Sequence, residues 1–77
     1  MSILITRLYQ SNHYIYTISN TIQVAFNLDN TIDLNLSKNV IGVMNKNITI
    51  DEAPKYFNMD INLLGYIIST HLMMMKG

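Results

Sequence analysis

Around residues 45–47 the spacing of apolar side chains changes from strict alternation to helical recurrence. That change restricts the chain to a sheet followed by helices. Upstream, Ile22, Val24, Phe26 and Leu28 alternate with Gln23, Ala25 and Asn27, and Ile32, Leu34 and Leu36 alternate with Asp33 and Asn35. Alternation sends the two sets to opposite faces of a strand. Asp29-Asn30, between the runs, suits a type I′ turn, which needs φ > 0 at both central positions. The predicted hairpin has one aliphatic face and one bearing amides and carboxylates. Ahead of it, Ser2–Tyr9 reads as a strand anchored by Ile3, Ile5 and Leu8. Gln10–Asn12 reads as a turn and His13–Ile18 as a second strand, rich in β-favouring Tyr and Ile. Ser37–Asn39 then turns the chain into Val40–Met44, a short strand or irregular segment.

Downstream, Thr49 is placed to cap a helix, with Glu52 completing a capping box. The first helix is predicted over Ile50–Phe57. Pro54 interrupts it, because the missing N–H forfeits a bond to the Ile50 carbonyl and the ring crowds that group; a start at Asp51 lowers the cost. Asn58-Met59 supplies a turn, and Asp60 caps a second helix over Ile61–Met74. Gly65 weakens this helix by about 1 kcal/mol relative to Ala and leaves room for a neighbouring backbone. Leu64, Ile67, Ile68 and Leu72 form its apolar stripe, which is expected to lie lengthwise on the hairpin. The predicted fold class is therefore α+β: an antiparallel β-meander of three to four strands, then two C-terminal helices in a helix-turn-helix-like hairpin. Residues 1–77 read as one domain, with the meander over 1–45 and the helical hairpin over 49–75.

The segment 49–68, TIDEAPKYFNMDINLLGYII, resembles the helix-turn-helix of excisionase-like and AraC-like regulators. Ala53 matches the small residue that lets the helices cross, and Asn58 the turn residue able to adopt φ > 0. Met59 and Asp60 match the apolar and capping positions that follow, and Leu64 and Ile67 the buried side of the recognition helix. Pro54 departs from the pattern. The resemblance implies a dimeric DNA-binding transcriptional regulator in which Asn62, Tyr66 and Ser69 touch DNA, Asn62 with a bidentate option to adenine, and Lys55 touches phosphate. Charge argues against it. No Arg or Lys lies between Lys55 and Lys76, and five basic side chains balance five acidic ones. Phosphate contacts supply most of the binding energy to nucleic acid. A DNA mimic would instead need an acidic excess. Nucleic acid is a possible but disfavoured partner.

Other chemistry finds little support. Cysteine is absent and the three glycines are isolated, which excludes thiol nucleophiles, thiolate metal sites and a phosphate loop. His13 and His71 have no ligand spacing with each other or with Asp51, Glu52 or Asp60; they read as exposed or packed side chains. Neither an enzyme nor a metal or cofactor site is expected. The five tyrosines could stack bases, but Arg7 is the only arginine beside them, so they read as core or interface residues. The longest apolar runs fall well short of the roughly 20 residues that span a bilayer, no membrane association is expected, and a cytoplasmic location follows as the default. The excess of Asn and Ile is what AT-rich coding sequences of phages and other mobile elements produce.

At the end of the chain, Met73, Met74 and Met75 cannot all face one core along a helix. Methionine adapts to irregular apolar surfaces and recurs at binding sites. The charged fraction of 13% is about half the usual quarter, and a short chain with net charge zero tends to associate. These features predict a homodimer, and a small regulatory or inhibitory protein that binds a larger protein partner through Ile61, Asn62, Tyr66, Met73 and Met74. A third reading is an assembly subunit whose exposed strand edge extends a neighbour's sheet.

Overall fold

Among the described residues five antiparallel strands form one sheet in chain order, and a single long helix covers one of its faces. The computed structural model describes residues 4–19, 21–42 and 45–76. The strands are β1 (Thr6–Gln10), β2 (His13–Ser19), β3 (Ile22–Asn27), β4 (Ile32–Asp33) and β5 (Asn47–Ile48). A 3₁₀ helix follows at Ile50–Lys55, then α1 at Ile61–Met75. The α+β meander predicted from the sequence is present. The expected strand residues Ser2, Ile3, Val43 and Met44 lie outside the described residues.

Turn chemistry decides where the hairpins close. Between β1 and β2, Ser11 and Asn12 both have positive φ, at 53° and 65°, and Gln10 pairs directly with His13. This is the two-residue loop whose twist matches paired strands. Between β3 and β4 the sequence suggested the same turn at Asp29-Asn30, but the loop has three residues, Leu28–Asn30. The Asn30 N–H bonds the Asn27 carbonyl at 3.0 Å and only Asn30 is left-handed, with φ 69°. The Asp29 carboxylate accepts the Thr31 N–H at 3.0 Å, which holds Asp29 out of the left-handed region that a type I′ turn demands.

The strand expected to run to Leu36 stops at Asp33. The Asp33 carboxylate accepts the Asn35 N–H at 2.9 Å, and the Ser37 N–H turns back to the Leu34 carbonyl. The Ser37 hydroxyl bridges the gap, accepting the buried Ala25 N–H at 3.0 Å and donating to the Asp33 carbonyl at 2.8 Å. β5 pairs with β4, Ile32 with Ile48 and Asp33 with Asn47. A strand of two residues carries no readable alternation, so β5 was not anticipated.

The helix-turn-helix-like hairpin is not what forms. Its predicted first helix is a six-residue 3₁₀ helix, with the Tyr56 N–H bonded to the Ala53 carbonyl at 3.0 Å. Glu52 accepts the Thr49 N–H at 3.1 Å, as a capping box requires. Pro54 then denies the i→i−4 bonding that would continue an α-helix. The turn expected at Asn58 is also absent. Asn58 has no positive φ; the chain is tied there to the segment after β4, with Val40 bridged to Phe57 and the Asn58 N–H on the Asn39 carbonyl at 2.9 Å. Ala53 is nevertheless fully buried, so the small residue sits where elements approach closely.

Helix α1 starts at Asp60, whose carboxylate accepts the Asn62 N–H at 3.0 Å. It buries Leu64, Ile67 and His71 against Tyr16, Val24, Phe26 and Ile32 on the inner face of the sheet. The stripe therefore passes through His71; Ile68 is half-buried and Leu72 is exposed. Each of Leu64 and Ile67 contributes about 1.5–3 kcal/mol through burial. Gly65 is not a point of backbone approach, since a Cβ built there meets nothing within 4 Å. Gly65→Ala is accordingly expected to stabilise the fold by about 1 kcal/mol, read as a higher urea midpoint at unchanged slope.

A candidate protein-docking surface between strand and helix

Between the free edge of β1 and α1 lies an open groove of about 340 Å³. Leu4, Ile5, Arg7 and Tyr16 line it from the sheet side, and Tyr66, Thr70 and Met74 from the helix. The helical residues recur every fourth position, so they form one stripe along α1. Helical geometry puts Met73 beside Tyr66, and Asn62 on the outward crest one turn before Tyr66. Of the five residues proposed as partner contacts, Tyr66, Met73 and Met74 thus share a side, and Asn62 borders it. Ile61 does not: it lines a separate recess of about 230 Å³ with Ile50, Pro54 and Gly65 on the opposite flank.

The flank beside β1 is markedly apolar and exposed. Met73 is 72% exposed, Tyr66 59% and Met74 50%, and across the groove Leu4 is 80% exposed. Lys55 stands at the end of the 3₁₀ helix, and Ser69 points away from the sheet on the top of α1. No basic residue occurs in the last turn of α1. Asn62, Tyr66 and Ser69 share an outward surface to which α1 contributes no cation between Ile61 and Met75, so the helix offers phosphate neutral donors only.

The groove floor is held by a polar chain that enters the core. Arg7 donates its Nε–H to the Tyr16 hydroxyl at 2.9 Å, and its guanidinium lies 4.6 Å from the Tyr14 ring centre. The same Tyr16 hydroxyl meets His71 Nδ1 at 2.9 Å, and His71 Nε2 meets Asn30 Oδ1 at 3.0 Å. Arginine can only donate. The Tyr16 oxygen therefore accepts from Arg7, and because the Asn30 Oδ1 can only accept, His71 donates to it from Nε2; with the imidazole neutral, Nδ1 then takes the Tyr16 hydroxyl proton. His71 is fully buried and stacked on Phe26 at 4.0 Å between ring centres. Burial, reinforced by the nearby charge of Arg7, holds its pKa below the ordinary 6.5.

Sequence reading left His71 as one of two unassigned histidines and gave Arg7 no role. Its position four residues after Ile67 on the apolar stripe was the available signal. The other histidine faces the opposite side of the sheet, where His13 Nε2 lies 3.3 Å from the Asp33 carboxylate. The five tyrosines do not form a shared platform: Tyr16 is core, Tyr14 and Tyr56 are half-buried, and Tyr56 accepts a hydrogen bond from Lys46 at 2.9 Å.

Among the described residues no group of three or more acidic or imidazole side chains is arranged to hold a metal ion, and no helix is long and apolar enough to cross a membrane. No family model, curated protein or solved structure matches this chain.

Because the unfolded chain binds the His71 proton more readily than the folded one, the contribution of this site is complete above about pH 6.5 and is lost as pH falls through 6.5 toward the lower folded value. Thermal melts of wild type and His71→Phe between neutral and mildly acidic pH are expected to diverge, with wild type losing more on acidification. Tyr16→Phe is expected to cost about 1–3 kcal/mol at neutral pH, because Nδ1 is left without its donor; denaturant titration measures it.

Proposed function

We propose that this chain is a non-enzymatic regulatory or inhibitory protein that binds a larger protein through the β1-facing flank of α1. The observation that carries this reading is the stripe of exposed Tyr66, Met73 and Met74 beside an open apolar groove. Large apolar side chains clustered on one flank signal an interaction surface, whereas scattered ones do not. Tyrosine and methionine suit the role: Tyr offers large contact area with few rotatable bonds, and Met adapts to an irregular partner. Asn62 extends the flank with a polar, hydrogen-bonding rim. Ile61, on the other flank, is left out of this interface.

A transcriptional regulator fits less well. Its scaffold lacks the first α-helix and the tight turn, and its outward helix surface lacks cations. Regulation by occlusion of a partner's surface needs neither.

Capture from a lysate of the source cell, with identification of the bound protein, tests the reading. Wild type is expected to retain one protein that the double variant Tyr66→Ala, Met73→Asp loses, the loss exceeding tenfold because buried aromatic anchors typically cost 2 kcal/mol or more, roughly. Undiminished capture by the variant refutes the site. Retardation of random duplex DNA at low salt, abolished by Lys55→Ala, would favour the nucleic-acid reading instead.

A further inference from the structure

We infer that a second copy of this chain pairs along the free edge of β1, so that two half-grooves join into one trough; the trough as a partner site rests on the reading just given, the pairing does not. Among the described residues β1 hydrogen-bonds only to β2, and all five of its residues are exposed. Exposed edges are normally blunted by proline, charged side chains, a bulge or a covering element. Thr6-Arg7-Leu8-Tyr9-Gln10 contains no proline or lysine, its one charge, Arg7, is turned onto Tyr14 and Tyr16, and its register with β2 runs unbroken over all five pairs.

The hairpin fixes which backbone groups face outward. In a two-residue loop the flanking pair, Gln10 and His13, is the hydrogen-bonded one, and such pairs alternate along an antiparallel ladder. Leu8 and Thr6 therefore bond inward to β2, while the N–H and C=O groups of Arg7 and Tyr9 point to the open side. An antiparallel copy related by a two-fold axis at Leu8 sets Arg7 of each chain opposite Tyr9 of the other, satisfying those four donors and acceptors at once. Isologous contacts of this kind are self-closing.

Side chains agree with that register. Leu8, 55% exposed, meets its own copy on the outer face, in the closer non-hydrogen-bonded pair. Thr6 meets Gln10. On the inner face the only charge of β1, Arg7, meets an electron-rich tyrosine ring rather than another arginine. No carboxylate lines the groove to neutralise it internally, and a chain with net charge zero does not repel its copy.

With the axis normal to the sheet, both inner faces lie on the same side. The two α1 helices then flank a shared floor made of both β1 strands, each wall carrying Tyr66, Thr70 and Met74. Five paired residues cover less than the ~800 Å² per partner of a standard interface, so a weak, concentration-dependent association is expected.

Sedimentation of the full chain across a dilution series tests the pairing. Wild type is expected to shift from one chain to two with rising concentration. Leu8→Lys and Leu8→Glu, each alone, are expected to weaken association at least tenfold by placing like charges at the axis, and the two mixed are expected to recover it. Circular dichroism identical to wild type checks that both variants keep the fold. A monomer at every concentration overturns the inference, as does a dimer indifferent to both variants or a mixture that fails to recover. Failure here with partner capture intact leaves the proposed function standing, and lost capture with an intact dimer removes only that function.

Discussion

A neutral histidine inside an otherwise aliphatic stripe is a costly residue unless both ring nitrogens find partners, and here each does. One bond reaches β2 through Tyr16, the other reaches the β3–β4 loop through Asn30. The ring itself lies flat on Phe26 from β3. One side chain on α1 thus samples three separate parts of the sheet, and only one placement of the helix satisfies all of them. Apolar contacts through Leu64 and Ile67 supply attraction without direction. The polar contacts supply register, because a helix shifted by one residue would leave the buried imidazole without either partner. Asn30 does two things at once: its left-handed backbone closes the loop, and its side-chain carbonyl accepts from His71.

From this docking follows the shape of the surface. With Leu64, Ile67 and His71 directed down, the helix shows two flanks of different character. One looks across Ile61 and Gly65 to the 3₁₀ helix, the other across Tyr66, Thr70 and Met74 to β1. The groove on the second flank is floored by the same Arg7–Tyr16 contact that begins the buried chain. Helix orientation and groove geometry are therefore set by shared residues, and a change at Tyr16 touches both stability and surface.

Much of this was legible in the sequence, for identifiable reasons. Alternation in Ile22–Phe26 found β3, and Val24 and Phe26 are buried as alternation requires. Asp60 marked the start of α1, and Leu64 and Ile67 its buried side. Alternation failed where side chains compete with the ladder for backbone groups. Asp29, Asp33 and Ser37 each bond nearby main chain, turning the loop into three residues and ending β4 early. Pattern alone also read Ile50–Phe57 as α-helical, and the proline inside it changed the helix type rather than merely its start. Of the candidate site, the exposed Tyr66 and Met73–Met74 were visible as residues too apolar for their number, but the groove was not, because its other wall is β1, sixty residues away in the chain by order of magnitude. Ile61 was grouped with them by its apolarity, and only the direction of the stripe assigns it elsewhere.

The composition of the chain and the position of its unpaired edge bear on each other. Natural sheets keep edges apart mainly with charge, and this chain has few charges to use. Several of those it has are committed inside the molecule: Arg7 to two tyrosines, Lys46 to Tyr56, Glu52 to Thr49 and Asp33 to its own turn. Around β1 the one charge, Arg7, is held against tyrosines, and the exposed side chains beside it include Leu4, Leu8, Tyr9 and Tyr66. A surface of that kind is stable in water only while small or while covered. Groove, edge and methionine-rich helix end lie side by side, so covering any one of them from outside brings the covering element against the others. The low charge that weakens a nucleic-acid role also lowers the electrostatic cost of the association proposed through this side.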